Sequence, residues 1–186
     1  MVILIGSGGV GFWAALAIER MGERVVVFDD DALEGTGALR LPDVRLFGRA
    51  FGKKVELLKF LARGVDVRAE KFSRAHADVV ARGDILLDCS DLSSEQRAEF
   101  VEIARAREAT YLRASYDLTP RAFVVVVARG LGFSRNPARG GYTLPPTIAH
   151  ALVAGGFAAD VVVRLLRGED VRLPARLEIP YVEERI

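Results

Sequence analysis

The order strand, glycine turn, helix, strand, acid opens this chain and constrains its fold more than any other feature. The apolar run VILI at 2–5 reads as a buried strand, GSGGVG at 6–11 as a tight turn, and 12–21 as a helix. A second apolar run, VVVF at 25–28, ends in Asp29, Asp30 and Asp31. Gly6, Gly8 and Gly11 satisfy the G-x-G-x-x-G spacing, and Gly9 is an additional glycine within it. Such a turn brings backbone close to a ligand and aims the N–H groups of a helix N-terminus at a phosphate. Asp29, eighteen residues beyond Gly11, stands where a carboxylate accepts hydrogen bonds from ribose hydroxyls. The same charge would repel a ribose 2′-phosphate, which argues against NADP. The pattern predicts a nucleotide site and serves NAD and ATP alike.

The rest of the chain repeats the alternation. Strand-like runs fall at 65–69, 84–89, 110–114 and 123–128, with helical spacing of apolar residues at 53–62, 74–81 and 94–107. Ser93 or Ser94 suits the N-cap of the last of these. This predicts an α/β fold: a Rossmann-like open, mostly parallel sheet with helices on both faces, in three layers. Ligands in such sheets sit at the carboxyl ends of the strands. A length of 186 residues predicts a single domain, 1–186, with a nucleotide-binding core over 1–115. Strands, a glycine- and proline-rich mobile loop (130–146) and a late helix (147–167) occupy 116–186. The late helix carries Gly155-Gly156, a pair that lowers helix propensity and so predicts a close backbone contact. It is apolar but holds His150, Asp160 and Arg164, which favours a buried helix over a membrane span. An edge strand is expected around 175–181.

Composition narrows the partners. A formal net charge of +1 gives no global reason to expect nucleic acid or an anionic membrane. The single cysteine, Cys89, excludes a disulfide framework within the chain and multi-cysteine zinc sites, and reads as a small packing residue. The short apolar start breaks into glycines, unlike a signal peptide, so a cytoplasmic location is the expectation. His76 and His150 read as packing or surface residues. Arg113, Arg121, Arg135 and Arg139 read as solvated surface charges, with service to an acidic substrate tail the alternative.

Two downstream segments separate ATP from NAD. Between Thr36 and Lys54, the cations Arg40, Arg45, Arg49, Lys53 and Lys54 face a single acid, Asp43. A triphosphate needs such neutralisation more than a dinucleotide does. The segment Asp88-Cys89-Ser90-Asp91 closes a strand at the same sheet edge. Asp91 suits Mg²⁺ on phosphate oxygens, because that ion takes one or two carboxylates plus phosphates. Helix capping by Ser90 or Asp91 is the competing explanation.

GSGGVG, then FDDD at 28–31, Arg40, Gly52-Lys53-Lys54 and DCSD at 88–91 together resemble the ThiF/MoeB/HesA family, the ubiquitin-activating-like adenylating fold. The resemblance spans about residues 2–115, and the late helix is similar as well. It implies that Asp29 holds the ATP ribose, Arg40 and Lys54 contact phosphate, with Lys53 a rival for the lysine, and Asp91 binds magnesium. Catalytic roles then fall to Arg40, Lys54 and Asp91. The nucleotide is held by Gly6, Gly8, Gly9, Gly11, Asp29, Asp31, Arg40 and Lys54. The implied reaction is activation of a C-terminal carboxylate of a ubiquitin-like or sulfur-carrier protein as an acyl adenylate. A homodimer or heteromer is the implied assembly. The sequence departs from the pattern at Gly37, Leu41 and Leu92, where relatives carry asparagine, glutamine and asparagine. Two alternatives follow: a non-catalytic ThiF-like nucleotide-binding partner protein, or an NAD-binding Rossmann domain.

Overall fold

The computed structural model describes residues 1–33, 41–42, 51–118, 122–130 and 147–180. Their strands are β1 (Val2–Ile5), β2 (Val25–Phe28), β3 (Asp66–Arg68), β4 (Ile85–Asp88), β5 (Thr110–Leu118), β6 (Ala122–Arg129) and β7 (Ala175–Pro180). The helices are α1 (Gly11–Arg20), α2 (Lys54–Leu61), α3 (Ser94–Ala106) and α4 (Ile148–Leu166). One seven-stranded sheet runs β3-β2-β1-β4-β5-β6-β7. Pairing is parallel from β3 to β5 and antiparallel from β5 through β6 to β7. β1 and β4 are central and buried along their whole length, hence the apolar runs VILI and ILL, the latter closed by the buried Asp88.

The pleat sends alternate side chains to two cores. Val2, Leu4, Leu87 and Leu112 face α1, α2 and α4. Ile3, Ile5, Leu86 and Tyr111 face α3 and the segment around Phe72. The three layers and the mostly parallel sheet are those that the alternation predicts. On the second face Phe72 stacks edge-on against both Phe28 (5.1 Å) and Phe100 (5.4 Å).

α4 lies on α1, and the reason is written in its small residues. Ala151, Ala154, Gly155, Ala158 and Ala159 are all buried. A Cβ on Gly155 would stand 2.4 Å from Trp13 Cβ and 2.7 Å from Ala14 N, so only glycine permits this approach. A Cβ on Gly156 would meet nothing within 4 Å. The close contact foreseen for the glycine pair therefore belongs to Gly155 alone. The helix is long and apolar enough to cross a membrane, yet much of it packs as a core helix.

Most boundaries shift by a residue or two, and two elements differ more from the sequence expectation. The helix foreseen at 74–81 is a short 3-10 helix, Arg74–Val79. With six residues and no fully buried side chain, its partial packing through Ala77 and Val79 is too little to extend it to α-geometry. β5 runs to Leu118 because β6 returns alongside it, residue against residue. β7 is described over Ala175–Pro180, the edge strand expected around 175–181, and Tyr181 lies outside the described residues, as does the loop over 131–146.

Candidate nucleotide site

The carboxyl ends of β1, β2 and β4 meet around the glycine turn. Gly6 has φ +87°, a left-handed conformation that favours glycine, and a Cβ there would press on Ser90 Cα at 3.1 Å. Gly11 is held tighter still: a Cβ would fall 1.9 Å from the Gly6 carbonyl oxygen. α1 begins here with no side-chain cap and no acid in its first turn. Among the described residues, the positive end of its dipole thus faces the cleft with no side chain capping it.

A cleft of about 470 Å³ opens above the turn. Gly6, Gly8, Gly9, Asp29, Asp31, Lys54 and Asp91 all line it. Gly11 lies beneath, packed on Gly6. A second hollow of about 370 Å³ shares Gly6, Asp29, Asp31, Ser90 and Asp91 with the first and adds Phe72, Leu92 and Phe100. Arg40, Arg45 and Arg49 lie outside the described residues.

Each acid in the cleft has its own situation. Asp29 is buried; one oxygen accepts from Ser7 N (2.5 Å) and Ser7 Oγ (2.9 Å), the other from Asp31 N (2.8 Å). It is first the clasp of the glycine turn, and the lone pairs left over are what it can offer a ribose. Asp31 pairs with Lys54 Nζ at 2.5 Å. Lys53 turns away and donates to the Ala69 carbonyl (3.2 Å), so of the two rival lysines Lys54 is the one in the cleft. Asp91 is exposed and lines both hollows. Helix capping does not occupy it: Ser93 is the N-cap of α3, accepting from Gln96 N. Among the described residues no three metal-ligating side chains converge. A cation here would take Asp91 and complete its shell with phosphate and water, the chemistry of Mg²⁺ rather than of Zn²⁺.

Sequence reading missed a buried network just below. Asp88 is fully buried and accepts from Ser90 N (2.9 Å) and Ser90 Oγ (2.5 Å) on one oxygen. Its other oxygen accepts from Arg97 Nε (2.9 Å) and Tyr111 Oη (2.7 Å). Arg97, also buried, donates from Nη2 to the Ser90 carbonyl at 2.8 Å. The signal available was a strand-end aspartate nine residues before an arginine on the following helix. Burial and the Asp88 charge push the Tyr111 phenol far above its ordinary value. Arg113, expected on the solvated surface, is instead partly buried near this network, where burial and the neighbouring Arg97 lower its pKa.

Cys89 lines the cleft, and burial, then the Asp88 charge, raise its thiol well above the usual value. It stays a thiol at neutral pH, unlike a nucleophilic cysteine. The histidines serve structure: His76 Nδ1 accepts from Ser73 N and its ring packs on Phe28. His150 Nδ1 accepts from Thr147 N at the start of α4, and its ring packs on Phe123.

No protein-family model matches the sequence, and no curated protein matches it. Solved structures do match the fold. Escherichia coli MccB with ATP superposes with a TM-score of 0.67 at 18% identity, over 97% of this chain and 60% of that one. The microcin C7 biosynthetic enzyme MccB with N-formylated MccA gives 0.63 at 17%, over 97% and 61%. PaaA gives 0.67 at 16%, over 99% and 70%. At such identities the likeness is one of fold, and this chain spans about three fifths of the MccB length.

Proposed function

We propose that this protein binds ATP with Mg²⁺ and is an adenylyltransferase. Its substrate would be the C-terminal carboxylate of a ubiquitin-like or sulfur-carrier protein. The observation that carries the reading is the placement of Lys54 and the exposed Asp91 in one cleft, around a helix N-terminus without a side-chain cap. Lys54 comes from the β2 side of the glycine turn, Asp91 from the β4 side, and both line one cleft with Gly8 and Gly9. That arrangement offers a cation and backbone N–H groups to phosphates, and a carboxylate to a metal on them. The fold shared with MccB, which has been solved with ATP and with N-formylated MccA, supports the same direction.

In the proposed reaction a carboxylate oxygen attacks the α-phosphorus. A new oxygen–phosphorus bond forms, the bond to the α,β-bridging oxygen breaks, and diphosphate leaves with the electron pair. Mg²⁺ would supply charge neutralisation of the phosphates, held by Asp91. Lys54 would leave Asp31 for the phosphates, and the α1 N-terminus would stabilise the anionic oxygens. Asp29 keeps the turn in shape and meets the ribose. Arg40 is assigned to the phosphates by resemblance. A homodimer or a heteromer is the proposed assembly.

The test is ATP–diphosphate exchange in the presence of carrier proteins with free C-termini, together with melting shifts for ATP-Mg and NAD. Exchange with a melting shift for ATP-Mg supports the reading. Stabilisation by NAD and not by ATP-Mg would instead make this an NAD-binding domain. ATP binding without exchange on any carrier would make it a non-catalytic partner.

A further inference from the structure

We propose that Arg97 is a positioning residue for the Asp91 carboxylate, acting through Asp88 and Ser90. The inference rests on the ATP-magnesium reading of the cleft. Asp91 has to present its carboxylate from the tip of a short loop between β4 and α3, and Ser90 immediately precedes it. Every polar atom of Ser90 is tied. Its N–H and hydroxyl donate to Asp88 Oδ1, and its carbonyl accepts from Arg97 Nη2 (2.8 Å). Asp88 is in turn fixed on its other oxygen by Arg97 Nε (2.9 Å) and Tyr111 Oη (2.7 Å). Arg97 therefore bridges the end of β4, the loop and the second turn of α3. The planar guanidinium fork reaches two acceptors at once, which the single ammonium of a lysine cannot do in the same geometry.

Cost argues for purpose. Asp88 is fully buried and the Arg97 side chain nearly so. A buried ion pair contributes little net stability compared with well-packed apolar residues, so its yield here is a fixed loop. The same device recurs across the glycine turn: Asp29, at the end of β2, holds Ser7 and the N–H two residues on. The two loops that flank the glycine turn are thus each pinned by a buried aspartate at a strand end.

The experiment is calorimetric titration of ATP into the full chain, with Mg²⁺ and with EDTA. It compares the wild type, Asp91→Asn, Arg97→Lys and Tyr111→Phe. The readout is the factor by which Mg²⁺ tightens ATP binding. Asp91→Asn abolishes that factor. Arg97→Lys reduces it by roughly 10- to 100-fold, the range typical of residues that orient a metal ligand, while affinity in EDTA is kept. Tyr111→Phe, which removes one of the donors to Asp88, reduces it by less. An Arg97→Lys protein that melts lower but keeps the wild-type Mg²⁺ factor would make Arg97 merely structural and overturn the proposal. Should Arg97→Lys fail to fold, an undiminished factor in Tyr111→Phe overturns it equally. A wild type whose ATP binding ignores Mg²⁺ removes the ATP-magnesium reading itself, a result distinct from the other two.

Discussion

Ser7 donates both its backbone N–H, at 2.5 Å, and its hydroxyl, at 2.9 Å, to the same oxygen of Asp29. The aspartate that a nucleotide-binding pattern reserves for ribose is therefore also a brace of the glycine turn. Both residues are buried, so the brace has consequences for stability before any ligand arrives. Ser7→Ala removes one neutral donor and is expected to cost about 1 kcal/mol. Asp29→Ala leaves the two buried donors of Ser7 and the part-buried Asp31 N–H without their acceptor and is expected to cost about 3 kcal/mol. Urea denaturation of both variants measures the difference. Equal costs would mean that the hydroxyl alone carries the brace.

Lys54 and Asp31 make a second pair with opposite expectations for its members. The ammonium sits on Asp31 at 2.5 Å. A phosphate has to draw it away. Lys54→Ala is expected to weaken ATP-Mg binding about tenfold, equivalent to about 1.4 kcal/mol. AMP, which has fewer phosphates to lose contact with, should be affected less. Asp31→Ala releases the lysine and is expected to leave ATP binding unchanged or tighter. Calorimetry on both variants decides this, and a tenfold loss in Asp31→Ala would instead make Asp31 a direct ligand of the nucleotide.

Much of this was legible in the sequence, for physical reasons that name its limits. The apolar runs of β1, β2 and β4 announce strands buried on both faces, and Gly6 and Gly11 announce a turn without room for Cβ atoms. Local spacing carries such information. The Asp88–Arg97–Tyr111 network was harder to read, because its partners are 9 and 23 residues apart: the seating of α3 brings Arg97 to Asp88, and the parallel β4–β5 register brings Tyr111. The choice between Lys53 and Lys54 also needed the structure. It depends on the start of α2, where the two side chains leave in different directions, one to Ala69 and one to Asp31. The 3-10 geometry of Arg74–Val79 escaped for a similar reason, since Ala77 and Val79 reach the second core only in part and no residue of the segment is fully buried.

The same network fixes a pH dependence. The Cys89 thiol and the Tyr111 phenol both have raised pKa values in the folded chain. The native state then keeps protons that the unfolded chain releases, so stability falls as pH rises past the unfolded values. Those are about 8.5 for the thiol and about 10 for the phenol, and each group adds a slope of about 1.4 kcal/mol per pH unit above its own. Urea midpoints measured from neutral pH upward are expected to decline from the thiol value and more steeply beyond the phenol value. Cys89→Ala should remove the first slope and Tyr111→Phe the second. An unaltered profile in both variants would assign the decline to other groups. Native Cys89 should also react slowly with thiol reagents at neutral pH, and at an ordinary rate in urea.

The last prediction separates two adjacent glycines. In α4, Gly155 and Gly156 share the same unfavourable helix propensity, roughly 1 kcal/mol each relative to alanine. Only Gly155 has a reason to be glycine. Its missing Cβ is the space taken by Trp13 Cβ, Ala14 N and the Val10 carbonyl, all closer than 3 Å to where it would stand. Two of those three neighbours are backbone, which cannot swing aside, so α1 and α4 must separate if a methyl group is added. Gly155→Ala is expected to destabilise by about 1–3 kcal/mol despite its better propensity. Val10 lines the cleft proposed to hold ATP, so this variant should also weaken ATP binding from a distance. Gly156→Ala meets open space and is expected to stabilise by about 0.5–1 kcal/mol with ligand binding intact. Thermal and urea unfolding of the two single variants read both signs, and a stabilising Gly155→Ala would overturn the close helix contact on which α1 is seated.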